Sequence, residues 1–303
     1  MSGIYVETSV PGSLDDLWSK TQTPDLHAGW DLRFTSIEYL PRADASQPQR
    51  FRYTTRIGLG LRISGEGETL ATTADDQGRR TSALKFWSAD PKSLIREGSG
   101  YWQYIPCAGG VRFLTWYDYR TRFGAAGRLC DRLIFRPLLG WATAWSFDRL
   151  RLWLERGLEP ALALRLSAIH ALVRLSLAFV WLYHGIVPKL LFVSRDELTL
   201  LLNTGLTPDA ASLLLPLLGL AEAAFGLLML WAWHARSLFL LNALLMLAVT
   251  LDVFVHSPGF LVAAFNPLTL NLAVAALALV GFMAGADIPN AGRCLRKRPE
   301  SKA

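Results

Sequence analysis

The sequence is poor in the residues that build metal and redox sites, with three cysteines and five histidines among 303 residues. The cysteines, at positions 107, 130 and 294, form no Cys-x-x-Cys pair and no ligand cluster. Dithiol chemistry and a structural zinc site are therefore not expected. The sequence also has no glycine-rich phosphate loop, no nucleophile elbow and no haem-type histidine pair. It therefore indicates no metal, nucleotide or haem cofactor.

A secretory signal is also missing from the first twenty residues. They contain Glu7, Asp15 and Asp16 but no continuous apolar core, so we expect the N-terminal half to stay in the cytoplasm. The net charge of +6 is spread through the first half and the C-terminus and is not gathered on a basic, aromatic surface. A nucleic-acid partner is therefore not predicted, and we interpret the basic residues as signals of membrane orientation.

The apolar residues, 51% of the chain, are concentrated in the second half. Four stretches there reach the roughly 20 residues that cross a hydrocarbon core. They cover residues 169–193, 210–231, 237–255 and 265–285. Because basic residues precede the first span and follow the fourth, both termini are predicted to be cytoplasmic. The predicted organisation is a soluble domain over residues 1–159, a membrane domain over 160–287 and a basic cytoplasmic tail over 288–303.

The soluble half combines short helical patterns, strand patterns and one long helix. A strand is followed by two short helices, a series of strands and a helix over residues 138–158. The clearest strand spans residues 50–63, where apolar residues alternate with arginines. Within it, Gly58 and Gly60 predict a bulge or a sharp bend.

This order of elements resembles the Bet v 1-like superfamily, also called the START, polyketide-cyclase-like or SRPBCC fold, over residues 1–156. The resemblance implies an α+β helix-grip fold, in which an antiparallel sheet wraps a long C-terminal helix. It also implies an apolar cavity between the sheet and that helix. Trp141 and Trp145 are candidates to line the cavity and bind a ligand, and plain core packing is the alternative for both.

Several short motifs follow one another through the membrane half. They are His184-Gly185-Ile186-Val187-Pro188-Lys189, Gly219-Leu220-Ala221-Glu222 with Gly226, His256-Ser257-Pro258, and Phe265-Asn266-Pro267. The series resembles the DoxX-like family of four-helix membrane proteins, over residues 165–287. The resemblance implies an all-α four-helix transmembrane bundle in the bacterial inner (plasma) membrane.

Polar side chains within the spans are candidates for function, because a charged residue there costs roughly 2.5 to 3.5 kcal/mol on insertion. The candidates are His184, Glu222, Asp252, His256 and Asn266. They predict a polar pocket for a ligand's head group or a proton relay, and interhelical hydrogen bonds are the structural alternative. Arg174 and Lys189 are expected to reach the lipid headgroups. Pro188 is expected to kink its helix or to end it.

Three functions remain open from the sequence alone. The first is a membrane protein that binds or handles a hydrophobic or amphipathic small molecule, since a tethered cavity can exchange such a molecule without releasing it to water. The second, implied by the DoxX-like resemblance, is the membrane subunit of a quinone-linked oxidoreductase, which would need a redox partner protein. The third is a non-catalytic membrane assembly protein. The expected partners are the lipid bilayer and a lipid or quinone ligand, and no catalytic group is identified.

Overall fold

The computed structural model describes residues 3–44, 46–58 and 60–299. The chain forms two units, the first made of Met1–Ala163 with Pro289–Ala303 and the second of Leu164–Ile288. The end of the predicted basic tail, residues 300–303, lies outside the described residues.

The first unit contains an antiparallel sheet of seven strands in the order β1-β7-β6-β5-β4-β3-β2. The strands are β1 (Ile4–Pro11), β2 (Ser36–Tyr39), β3 (Arg50–Gly58), β4 (Leu61–Ala74), β5 (Arg80–Trp87), β6 (Ile95–Cys107) and β7 (Gly110–Thr121). Two short helices connect β1 to β2, and the long helix follows β7. This is the α+β helix-grip arrangement, and it confirms the predicted fold class.

This unit also contains α1 (Leu14–Gln22), α2 (Pro24–Trp30), α3 (Gly124–Cys130) and α4 (Arg136–Arg156), and a π-helical segment (Asp131–Phe135) joins α3 to α4. Ser13 caps α1, because its hydroxyl accepts a hydrogen bond from the backbone N–H of Asp16. Helix α4 packs against β1. In the core between α4 and the sheet, Phe113 of β7 stacks on Phe147 of α4, with ring centroids 4.5 Å apart.

The predicted strand over residues 50–63 is in fact a hairpin. Strand β3 ends at Gly58 and β4 begins at Leu61, with Arg56 opposite Arg62. Gly58 and Gly60 both adopt positive φ angles, which glycine adopts without steric cost, so the chain reverses there and does not merely bend. Leu59, part of the predicted alternation, lies outside the described residues.

The segment after the last membrane helix folds back onto the soluble unit. Leu295 and Glu7 of β1 exchange two backbone hydrogen bonds, both of 2.9 Å. Cys294 is buried and donates to the carbonyl of Ala144 in α4. The backbone N–H of Asn290 donates to the carboxylate of Asp148. The sequence predicted only a basic tail here, whereas the structure makes its described part a component of the soluble fold.

Helix α5 (Pro160–His184) begins at the end of the first unit and continues into the second. The second unit also contains α6 (Arg195–Asn203), α7 (Pro208–Trp231), α8 (Ser237–His256) and α9 (Pro267–Ala284). A π-helical segment over Gly185–Leu191 extends α5, and the two form one span of 32 residues. This span, α7, α8 and α9 are long and apolar enough to cross a membrane, with mean hydropathies between 1.6 and 2.4. A helix of this kind stands at each of the four predicted spans, although the first begins at Pro160 and not at residue 169. Helix α6 was not predicted, since its residues fell in a connection.

Candidate functional site

A cavity of about 770 Å³ lies between the sheet and the start of α4 in the soluble unit. Pockets for small organic molecules have volumes of this order. Most of its lining is apolar. Prominent apolar lining residues are Phe51, Ile63, Leu84, Phe86, Leu138 and Leu139. The cavity predicted from the Bet v 1-like resemblance is therefore present in the structure.

Glycines in the strands make room for the aromatic rings of this lining. A Cβ atom on Gly67 would lie 2.4 Å from Cζ of Phe51, and one on Gly98 would lie 2.4 Å from Cζ of Phe86. Both glycines stand opposite those phenylalanines in the sheet register. Gly67 lies within β4 and Gly98 within β6. Each ring lies over the glycine of the neighbouring strand, where no side chain stands.

A polar cluster interrupts the apolar lining near the end of α2. The Arg33 guanidinium donates to the Asp31 carboxylate through Nε and Nη2, at distances of 2.9 Å to Oδ1 and 2.6 Å to Oδ2. His27 Nε2 lies 3.2 Å from Asp31 Oδ2. His27 and Arg33 line the cavity, while Asp31 lies behind them and is 1% exposed. The ring of Tyr117, another lining residue, lies 5.4 Å from the guanidinium carbon of Arg33.

The charge states in this cluster follow from burial and pairing. Burial, opposed only in part by Asp31, lowers the pKa of His27, so the imidazole is neutral at pH 7. Burial alone would raise the pKa of Asp31, but the charge of Arg33 and the hydrogen bonds from Arg33 and His27 hold it well below its usual range. The pKa of Arg33 is raised, because the attraction of Asp31 outweighs burial. Asp31 and Arg33 therefore form a permanent ion pair beside a neutral histidine.

The two tryptophans predicted to line the cavity lie elsewhere on α4. Trp145 is 7% exposed and belongs to the hydrophobic core, and Trp141 is 43% exposed. Their ring centroids are 6.4 Å apart. The cavity is lined by Leu138, Leu139 and Ala142, which lie on the adjacent face of the helix. Trp145 therefore follows the core-packing alternative.

In the membrane unit, an ion cluster forms around Lys189. Its ammonium lies 3.1 Å from Oε1 of Glu197 in α6 and 3.0 Å from Oε2 of Glu222 in α7. The expectation that Lys189 reaches the headgroups is wrong, because the residue is only 6% exposed. The π-helical segment that contains it continues the helix through Pro188. The predicted site residue Glu222 thus has a cationic partner that the sequence did not reveal.

Glycines allow the two helices that carry this cluster to approach closely. A Cβ atom on Gly185 would lie 2.5 Å from the carbonyl oxygen of Gly219, and one on Gly219 would lie 2.8 Å from the carbonyl oxygen of Gly185. Such contacts are those of small residues at a membrane helix interface. The face of α7 that carries Gly219 and Glu222 therefore packs against the π-helical segment of the first span.

The other polar residues that were predicted to form a pocket in the bundle make contacts of their own. Asp252 and His256 pair with each other, with 3.0 Å between Oδ1 and Nδ1, and both side chains are exposed in the isolated chain. Asn266 caps α9 by accepting from the backbone N–H of Thr269 at 2.9 Å. His184 lies at the end of α5 and within electrostatic range of Glu222. Among the contacts of the described residues, none joins Asp252, His256 or Asn266 to the Lys189 cluster.

Arg174 has a structural role at the opposite end of the first span. It is completely buried, and its guanidinium donates to the carbonyls of Met229, Ala232 and Ala235 at 2.8 to 2.9 Å. These carbonyls lie at or just beyond the C-terminal end of α7, where helix carbonyls lack intrahelical partners. The expected reach of Arg174 to the headgroups is therefore wrong, since the side chain is used to cap a neighbouring helix.

Among the residues that the structure describes, no group of three or more His, Cys, Asp and Glu side chains is arranged to hold a metal ion.

Comparisons with known proteins agree with this organisation. The model of the DoxX-like family matches residues 178–279. The uncharacterized membrane protein YndG of Bacillus subtilis is 49% identical over 183 residues, which are 60% of this chain and 68% of YndG. The chain belongs to the family of YndG. It is an integral membrane protein with a DoxX-like domain, and its N-terminal half has a Bet v 1-like fold.

Solved structures similar to the soluble half include two lipid-transfer proteins. One is a STAR-related lipid transfer protein from Xanthomonas axonopodis, with 16% identity and a TM-score of 0.37, covering 50% of this chain and 84% of that one. The other is human StAR-related lipid transfer protein 5, also with 16% identity and a TM-score of 0.37, covering 50% of this chain and 74% of that one. The fold assignment rests on the strand order and the position of α4 described above.

Proposed function

We propose that this protein binds an apolar or amphipathic small molecule in its soluble domain and holds that domain at the membrane from which the molecule comes. The observation that carries the proposal is the apolar cavity of about 770 Å³ between the sheet and α4. Apolar surface gains roughly 25 cal/mol for each Å² removed from water. A ligand that fills the cavity gains this energy together with the lining side chains.

The membrane bundle supports the same proposal. A hydrophobic ligand is concentrated in the bilayer, and a cavity tethered beside the bilayer can accept it without a long passage through water. Basic residues before the first span and after the fourth support a cytoplasmic position for the soluble domain and the two termini, in a bacterial inner membrane. In the bundle, we propose that a ligand's polar end binds at the ion pair of Glu222 and Lys189, with His184 as a further contact.

A cavity-filling variant tests the proposal. Ala142 lines the cavity from α4, so Ala142→Phe places a ring within the ligand volume. Ala125 in α3 is exposed and is not part of the lining, so Ala125→Phe is the matched control. Full-length protein in nanodiscs is labelled with an alkyl photoprobe, and labelled peptides are mapped by mass spectrometry. Labelling of the soluble domain should fall in Ala142→Phe and persist in the control. Absence of labelling there in the wild-type protein refutes the proposal.

A further inference from the structure

The hydrogen bonds among His27, Asp31 and Arg33 determine which donors and acceptors the cluster has left for a ligand. Asp31 is ionised and can only accept hydrogen bonds, so the His27 nitrogen that faces it, Nε2, must carry the hydrogen. In a neutral imidazole the other nitrogen, Nδ1, then has a free lone pair. Among the hydrogen bonds of the described residues, Nδ1 of His27 makes none. The imidazole thus offers the cavity a single hydrogen-bond acceptor.

Arg33 supplies hydrogen-bond donors to the same cavity. Asp31 takes Nε and Nη2 of Arg33, which leaves Nη1 unused by the carboxylate. The Tyr117 hydroxyl also interacts with this guanidinium, but a guanidinium has five N–H groups, so donors remain for a ligand. Both His27 and Arg33 line the cavity, and their common contact with Asp31 keeps the two side chains together. The aromatic contacts of His27 with Trp30, Phe34 and Trp102 fix the plane of its ring.

Three hydroxyl groups of the lining are already engaged with the backbone. The Thr55 hydroxyl donates to the carbonyl of Arg33 at 2.6 Å. The Thr115 hydroxyl donates to the carbonyl of Tyr101, and the Ser93 hydroxyl donates to the carbonyl of Ile95. These groups are satisfied without a ligand. The His27 acceptor and the Arg33 donors differ from these hydroxyls, because Asp31 holds both side chains in place and leaves part of each for a ligand.

We propose that the cavity recognises a neutral amphipathic molecule by a single hydroxyl group, which donates to Nδ1 of His27 and accepts from the Arg33 guanidinium. This inference rests on the proposed function and names the ligand class. A methyl ether of the same chain has no hydrogen to donate, so it leaves Nδ1 unsatisfied. A carboxylate places its negative charge against the Nδ1 lone pair and near Asp31. A hydroxyl group can donate to Nδ1 of His27 and also accept from the Arg33 guanidinium.

Competition among three ligands with the same alkyl chain tests this. Full-length protein in nanodiscs is labelled with a diazirine-bearing alkanol, and decanol, methyl decyl ether and decanoate compete for the label in the soluble domain. Free concentrations are corrected with nanodiscs that contain no protein. Decanol should bind roughly three- to tenfold more tightly than the ether, the contribution of one hydrogen bond. Decanoate should bind more weakly than decanol.

The variant His27→Phe keeps the aromatic shape and removes the acceptor. In this variant the preference for decanol over the ether should disappear, so that the two molecules bind with equal affinity. Equal binding of decanol and ether by the wild-type protein, or tighter binding of decanoate, overturns the inference but leaves the proposed function in place. If no competitor reduces labelling of the soluble domain, the proposed function fails as well. The wild-type comparison decides between these outcomes even if His27→Phe does not fold.

Discussion

The close contact between Gly185 and Gly219 supports a quantitative prediction about the membrane bundle. In Gly185→Ala, the new methyl group would lie 2.5 Å from the carbonyl oxygen of Gly219 and 2.7 Å from the backbone nitrogen of Ala223. Both neighbours are backbone atoms of α7 and cannot rotate away as a side chain would. The two helices must therefore separate.

The expected magnitude follows from measurements on overpacked interiors, where added methyl groups cost about 1 to 3 kcal/mol. Separation of the helices also lengthens the 3.0 Å contact between Lys189 and Glu222, which stands next to the contact point. Because the new methyl group meets two backbone atoms, movement of a side chain cannot relieve the clash. The free energy of unfolding of the bundle should fall by about 1 to 3 kcal/mol.

Titration of SDS into mixed micelles, followed by far-ultraviolet circular dichroism, measures this change. All variants carry the same soluble domain, so differences between them report on the bundle. Gly259→Ala is the matched control, since its new methyl group would meet no atom within 4 Å. The control should lie within about 0.5 kcal/mol of the wild-type protein. If Gly185→Ala unfolds at the same SDS fraction as the control, the inferred close packing of the first span and α7 is refuted.

Three further predictions concern the soluble domain. Arg33→Met leaves the carboxylate of Asp31 buried without its partner, and urea unfolding should show a loss of about 3 to 5 kcal/mol; a loss below about 1 kcal/mol would contradict the buried ion pair. The pKa of His27 is lowered in the folded state, so its contribution to stability is present above the unfolded pKa of about 6.5 and is lost as the pH falls below it. His27→Phe should therefore reduce the loss of unfolding free energy as the pH falls below about 6.5. An unchanged slope would show that other groups cause the pH dependence. Burial and the charge of a nearby carboxylate raise the pKa of the Cys294 thiol to about 12. Maleimide should modify the exposed Cys107 quickly and Cys294 only after denaturation, and equal rates would show that the tail is not docked.

The features that the sequence predicted correctly depend on local pattern. Each membrane span is recognisable from its own hydropathy, so the predicted span 237–255 closely matches α8. The order of strands and helices in the soluble half similarly follows from local periodicity. The hairpin at Gly58 and Gly60 was misread because the apolar alternation continues from one strand into the next. Only the backbone conformation of the two glycines separates a bend from a full reversal.

The polar sites depend on contacts between distant segments and could not be predicted in the same way. His27 and Asp31 are four residues apart, a spacing that suggests a helical pair, but nothing local shows that a cavity lies beside them. Lys189 stands near the end of an apolar run, where lysine ordinarily extends to the headgroups. Its burial depends on Glu197, whose helix α6 was not predicted, and on the glycine contact with α7.

The segment that follows α9 completes the edge of the sheet. Strand β1 is at the edge of the sheet, and an unpaired edge exposes backbone groups that promote aggregation. The backbone pairing of Leu295 with Glu7 covers part of that edge, and Ala291 and Cys294 enter the hydrophobic core. The membrane unit, residues 164–288, is therefore inserted within the sequence of the soluble fold. A fragment that ends before the first span would lack part of its own core, which is why each experiment above uses the full chain.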